Sequence, residues 1–396
     1  MYTYAQHGYG KSDKIETAIR QGSVSGVILS PRDEQPERLA QYIATLRQEF
    51  ADQVTILFDP QFYATTVTPV RDGYLPDYPY YQPGLTRGRF IAPLDIQQYV
   101  SDVIDYQLPL GLDRIISPTV FFSDFTDPWS QIALSMAQQS TVLGAGLAQP
   151  LLLSLVFDET ALRNRTALND FLDIISVWDV EGFYLVIRRN DTTYQAFSDD
   201  LILKNLMYLT YVLAEVNDFE IVLGYSDFVG LLLHAVGAEA TGTGWYNTLR
   251  QFSLARFQPA TGGRPARPRY TSDALLNSIL VVPELAAIYQ RGRLPQVIAT
   301  TSYDGTLANG NPANAAWPPD VACLHHWEVL SRLAAEVATQ GSVAASLDRL
   351  QERIQQAVAT YNLLLTAGIP FEVATGQREL DVWLRAIRSF RQEAGL

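Results

Sequence analysis

The chain is short of cysteine, of lysine and of long apolar runs, and each shortage removes a class of protein. Cys323 is the only cysteine, so no internal disulfide can form and a cysteine-rich zinc cluster has no ligands. No apolar stretch reaches the roughly 18 residues that cross a bilayer. The first seven residues, MYTYAQH, are too polar for a secretory leader. A soluble cytoplasmic protein is the expectation. Histidine occurs only at 7, 234, 325 and 326. The pair at 325–326 beside Cys323 is too small a donor set for a metal, and His234 sits in an apolar helical run. There is no His-Glu-x-x-His, no Gly-x-Ser-x-Gly and no glycine-rich phosphate loop, so neither a metal nor a nucleotide cofactor is expected.

What is present is apolar and acidic. The 396 residues are 47% hydrophobic, enough for a large core, and carry a net charge of −13. Such a charge opposes broad binding of nucleic acid. Its distribution is uneven, however. Residues 241–272 contain no Asp or Glu but hold Arg250, Arg256, Arg264, Arg267 and Arg269, while lysine occurs only at 11, 14 and 204. Guanidinium groups favour bidentate contact with phosphate or carboxylate. This segment is therefore the expected contact for RNA or DNA, with pairing to the acidic body as the alternative.

Along the chain an apolar run of about six residues, a polar turn and an amphipathic helix recur. The runs fall at 24–30, 54–58, 115–122, 151–157, 183–187, 220–223, 238–242 and 295–300. Eight such units in about 300 residues predict an α/β fold, a (β/α)8 TIM-type barrel. The expected organisation is a barrel over 1–318 and a helical region over 319–396 packed on it. A Tyr/Pro-rich insertion at about 64–100, with Tyr74, Tyr78, Tyr80 and Tyr81, reads as an active-face loop open to protein partners. Leu347, Leu350, Ile354, Ala357 and Tyr361 form one helical stripe, and Leu380, Trp383, Leu384, Ile387 and Phe390 another.

In such a barrel Asp59, Asp124, Asp158, Arg188 and Asp227 end their strands on one face. Grouped carboxylates can act as nucleophile, general base or base-reading acceptor. Asp124 and Asp227 also precede helices and suit capping. Asp59 is harder to explain as a cap, because Pro60-Gln61-Phe62 begins no clear helix.

The order of these motifs resembles the tRNA-guanine transglycosylase superfamily. Asp59 with Tyr63 four residues on is similar to its strand-end aspartate and base-stacking aromatic. Phe157-Asp158-Glu159 is similar to its base-reading strand end, Gly224-Tyr225 to its later glycine turn, and Cys323 to Arg332 to the outline of its zinc turn. The resemblance implies a (β/α)8 barrel with Asp59, Asp158 and Asp124 as catalytic candidates. It implies substrate contacts from Tyr63, Glu159, Arg188, Gly224, Tyr225, Trp245 and Arg250, and phosphate contacts from Arg256, Arg264, Arg267 and Arg269. Two departures stand out. The family's nucleophilic position reads Glu239-Ala-Thr-Gly-Thr-Gly-Trp245, with no aspartate, and the zinc turn keeps one cysteine. The expectation is therefore a nucleobase- or nucleic-acid-binding barrel related to nucleobase-exchanging enzymes. The alternatives are a non-catalytic barrel subunit, a pseudoenzyme within a larger complex, and a glycoside hydrolase built on paired carboxylates.

Overall fold

The computed structural model describes residues 2–68, 71–190, 197–259, 266–338 and 340–396. The apolar runs form parallel strands: β1 Tyr2–Gln6, β2 Gly26–Leu29, β3 Thr55–Phe58, β4 Ile115–Ile116, β5 Phe121–Phe122, β6 Leu151–Asp158, β7 Gly182–Arg188, β8 Glu220–Leu223 and β9 Ala240–Thr243. Their order is β3-β2-β1-β9-β8-β7-β6-β4, with β5 also on β6. β4 and β5 occupy one strand position, broken at Pro118, which has no N–H to give to a ladder. The result is eight strand positions in a nearly closed TIM-type barrel.

The seam between β3 and β4 is closed by one side chain. Asp113, just before β4, accepts from the Ile56 N–H (2.6 Å), and its own N–H donates to Ile56 O (3.2 Å). Arg47, on helix α2 (Pro36–Phe50), ion-pairs with Asp113 and donates to Val54 O (3.0 Å) and Gly111 O (3.0 and 3.1 Å). Elsewhere the ladders run so close that substitution is impossible at one point. A Cβ on Gly182, the first residue of β7, would collide with the backbone of Glu220 in β8.

The strand count is as expected, but the set is displaced by one. Residues 295–300 are not a strand; Leu294–Gln296 is a short helical turn. The missing member is β1, in the N-terminal segment, which was assigned no strand from the sequence. Tyr4, Ala5 and Gln6 are fully or nearly buried, and β1 joins β2 to β9, so the first strand meets the last. The barrel strands therefore end at Thr243. The chain continues through a hairpin, β10 (Arg269–Ser272) and β11 (Asn277–Leu280), to helices α10 (Pro319–Ala338), α11 (Val343–Thr366) and α12 (Arg378–Ala394). Helix α10 packs on β1 and β10, and α12 packs on α6 (Asp200–Tyr211). Both helical stripes face inward, with Leu384 partly buried.

The insertion after β3 also turns inward. Tyr78, Tyr80 and Tyr81 are buried, with Tyr78 and Tyr80 packed on Phe58 and Tyr106. Two of the three hydroxyls are engaged as well: Tyr78 donates to Glu34 O and Tyr80 to Pro60 O (2.9 Å each). Three of the four tyrosines expected to face partners are thus core residues, because burying a ring and satisfying its hydroxyl outweighs leaving it in water.

The seam makes a direct test possible. Asp113→Ala leaves the Ile56 N–H without its acceptor and Arg47 without its carboxylate partner. It is expected to lower the unfolding free energy by about 1–3 kcal/mol, read from urea melts.

Candidate functional site

Asp59 follows the last residue of β3 and is fully buried at the C-terminal end of the barrel. Its carboxylate accepts from the Tyr63 hydroxyl (2.8 Å), the Tyr184 hydroxyl (3.2 Å) and the Gln61 N–H (3.1 Å). Burial pushes its pKa up to about 6, and these three donors only partly oppose the rise. Gln61 continues the network. Its Nε2 donates to Ser30 Oγ (2.9 Å) and the Tyr225 hydroxyl (3.0 Å), and its Oε1 accepts from the Arg32 N–H (3.2 Å). Gln61 and Tyr225 both hold left-handed backbone (φ 51° and 55°), a conformation that costs a non-glycine residue about 1 kcal/mol or more. Ser30 Oγ donates to Asp33 (2.7 Å), and the Ser30 N–H donates to Nδ1 of buried His7 (3.3 Å). Burial holds His7 down at about 4, so at neutral pH it is uncharged with its proton on Nε2.

The segment after β9 lies across this network as a strap. Phe252 O accepts from the Arg189 N–H (2.8 Å) at the end of β7, and Arg256 forms a buried ion pair with Asp33 at the end of β2. Between these anchors Phe252 and Phe257 are fully buried, edge-on to Tyr63 at 5.4 and 5.8 Å. Each buried phenyl contributes about 2–3 kcal/mol. The barrel mouth is therefore filled.

Asp158 and Glu159 form a second, separate network. Asp158 accepts from Arg188 (2.9 Å), from Asn190 Nδ2 (2.9 Å) and from both the N–H and hydroxyl of Thr160 (2.9 and 2.7 Å). Glu159 accepts from Arg189 Nε (2.8 Å) and the Asn190 N–H (2.7 Å). These two carboxylates brace the ends of β6 and β7 and share no hydrogen-bond partner with Asp59. Asp124 belongs to neither network; it accepts from the N–H and hydroxyl of Thr126 in the turn before α4 (Pro128–Gly144). The three aspartates expected to act together are thus held apart, each satisfied locally.

The arginines are likewise engaged. Arg256 is the buried ion-pair partner of Asp33. Arg267 makes a bidentate pair with Glu372 (2.7 Å for each bond), and Arg269 donates to Ser278 O (2.6 Å). Arg264 lies outside the described residues. Arg250 donates through Nε to Gly244 O (2.7 Å) and stands between two cavities. One, of about 40 Å³, is lined by Arg189, Gly224, Tyr225, Asp227, Arg250 and Glu379. Burial raises the Asp227 pKa, and Arg250 partly offsets the rise. The other, of about 120 Å³, is lined by Trp245, Arg250, Arg267, Arg269, Trp317 and Cys323. Burial pushes the Cys323 thiol up to about 12, which makes it a poor nucleophile. At the opposite end of the barrel a cleft of about 780 Å³ is lined by Asp52, Glu181, Glu215, Asp218, Glu220 and Glu239, with Arg114 the one cationic side chain among the described residues that line it.

Sequence reasoning missed Tyr184, Gln61, Asp33 and the two phenylalanines of the strap. Tyr184 had a signal: a hydroxyl in the middle of the aliphatic strand Phe183–Ile187 needs a partner once buried. Asp33 and Arg256 are 223 residues apart, and no spacing rule joins them. Tyr63 and Tyr225 do reach the mouth as expected, but as donor to Asp59 and acceptor from Gln61.

No family model matches this chain, and no curated protein matches it. Two solved structures align with most of the chain at 9% identity each. One is dihydrodipicolinate synthase from Oceanobacillus iheyensis, with a TM-score of 0.33 over 98% of this chain and 96% of that one. The other is the enoyl reductase domain of MlnA from the macrolactin cluster of Bacillus amyloliquefaciens, with a TM-score of 0.31 over 99% and 96%. Strand pairing itself defines the class: a TIM-type barrel with helical C-terminal extension, in which no helix among the described residues is long and apolar enough to span a membrane. The strand order bears out the barrel that the transglycosylase resemblance implied, and nothing supports that superfamily specifically.

The Asp59 shift has a defined pH signature. A carboxyl whose folded pKa is raised from 3.8 to about 6 binds its proton more tightly in the folded chain. Its contribution to stability is greatest below about pH 4 and declines as pH rises through 6. His7, held at about 4, acts with the opposite sign, its stability being lost as pH falls below about 6.5. Comparison with Asp59→Asn isolates the first effect. Between pH 4 and 7 the stability difference should move by about 2–3 kcal/mol in favour of the Asn variant, read from urea midpoints. A difference that stays flat with pH would contradict the shift.

Proposed function

We propose that this chain is a non-catalytic (β/α)8 barrel, a binding subunit that meets its ligand or partner on the barrel rim instead of in the mouth. One observation carries the reading: Asp59 and Tyr63, the pair expected to engage a nucleobase, bond to each other beneath Phe252 and Phe257. A base could reach them only if the strap lifted, which would break the buried Arg256–Asp33 pair and expose both rings. The glycoside hydrolase reading needs two carboxylates facing one cleft across the scissile bond. Asp59 and Asp158 lie in separate networks, and Asp158 is occupied by Arg188, Asn190 and Thr160. The left-handed backbone at Gln61 and Tyr225 serves here to complete the plug, by aiming an amide at a tyrosine hydroxyl.

The reading is tested by chemistry. Purified protein incubated with a labelled nucleobase and RNA or DNA is expected to incorporate nothing, with wild type and Asp59→Asn indistinguishable. Incorporation by the wild type that Asp59→Asn abolishes would overturn it.

A further inference from the structure

Arg250 is nine-tenths buried, and among the described residues no carboxylate lies within ion-pair distance of it. Asp227, across the smaller cavity, supplies a counter-charge only at longer range. A buried guanidinium held by no direct ion pair is costly, and an anion brought against it would offset that cost. The hydrogen bond from Nε to Gly244 O fixes its plane just beyond β9, on the face where barrels carry ligand loops. It borders the 120 Å³ cleft together with Arg267, Arg269, Trp245 and Trp317, and among the described residues no Asp or Glu lines that cleft. The space is several times the roughly 10–15 Å³ that holds one water, room for a phosphate group with the ring lying toward the exposed rim at Arg267.

The side chains choose among anions. Guanidiniums gathered at one cleft suit a group with several negative oxygens. Arg269 already donates to Ser278 O, so the contact falls to Arg250 and Arg267. The two indoles offer ring surface beside that charge. A long polyanion fits poorly, because the chain carries a net charge of −13 and the opposite end of the barrel is lined by six carboxylates. The Arg267–Glu372 pair at the rim is about half exposed on both sides, so it holds Arg267 only weakly and can yield to a ligand.

We propose that this cleft binds a small phosphate ester carrying a planar ring, with the phosphate held by Arg250 and Arg267 and the ring against Trp245. The inference does not depend on the closed mouth: base exchange could be found and this cleft still bind, or the reverse.

The test is titration of the full chain with adenosine monophosphate, inorganic phosphate, adenosine and a single-stranded oligonucleotide. It is followed by calorimetry and by tryptophan fluorescence, since two of the six tryptophans line the cleft. Adenosine monophosphate is expected to saturate one site and to bind at least about tenfold more tightly than phosphate or adenosine alone. Arg250→Gln and Arg267→Gln are each expected to weaken it by about tenfold or more. Arg267 is exposed, so its variant keeps the test valid if loss of Arg250 disturbs folding. The proposal is overturned by absence of saturable binding, by equal affinity for phosphate and adenosine monophosphate, by affinities unchanged in the Arg267→Gln variant, or by an oligonucleotide that binds more tightly than the mononucleotide.

Discussion

The ion pair between Arg256 and Asp33 decides how the C-terminal face of this barrel is arranged. It joins the segment after the last strand to the end of the second, and both side chains are buried. An ion pair in such a place stabilises little by itself, since desolvating both charges offsets much of their attraction, but removing one partner would strand the other. Its effect is positional. With Arg256 held down, Phe252 and Phe257 have no course except across the mouth, where they meet Tyr63 and Tyr225.

What lies beneath follows from the need to satisfy buried polar groups. Asp59 takes three donors; Gln61 links Ser30, Arg32 and Tyr225; Ser30 reaches Asp33 and His7. A network so closed is a plug with the composition of an active site. The same residue types, opened to a cleft, would serve acid–base chemistry; here their hydrogen bonds point at one another.

Charge is segregated with the same economy. Carboxylates line the N-terminal end of the barrel, while arginines line a cleft near the other. Arg256 and Arg267 pair with carboxylates, whereas Arg250 and Arg269 donate to backbone carbonyls.

The barrel itself was legible from the chain, because strands buried on both faces must be continuous apolar runs, and runs at 54–58, 151–157, 183–187 and 220–223 could be little else. β1 was not legible: Tyr2–Gln6 alternates aromatic and polar residues, and only a barrel interior that accepts Gln6 as a partner for the Tyr225 N–H makes it a strand. Asp59, Asp158, Tyr63 and Arg250 were legible as residues of interest, since strand ends and charge clusters are local features. Their roles were not. Whether a strand-end aspartate faces a ligand or two tyrosines depends on what folds over it from 190 residues away, and that is settled by packing between distant segments, which no local pattern encodes.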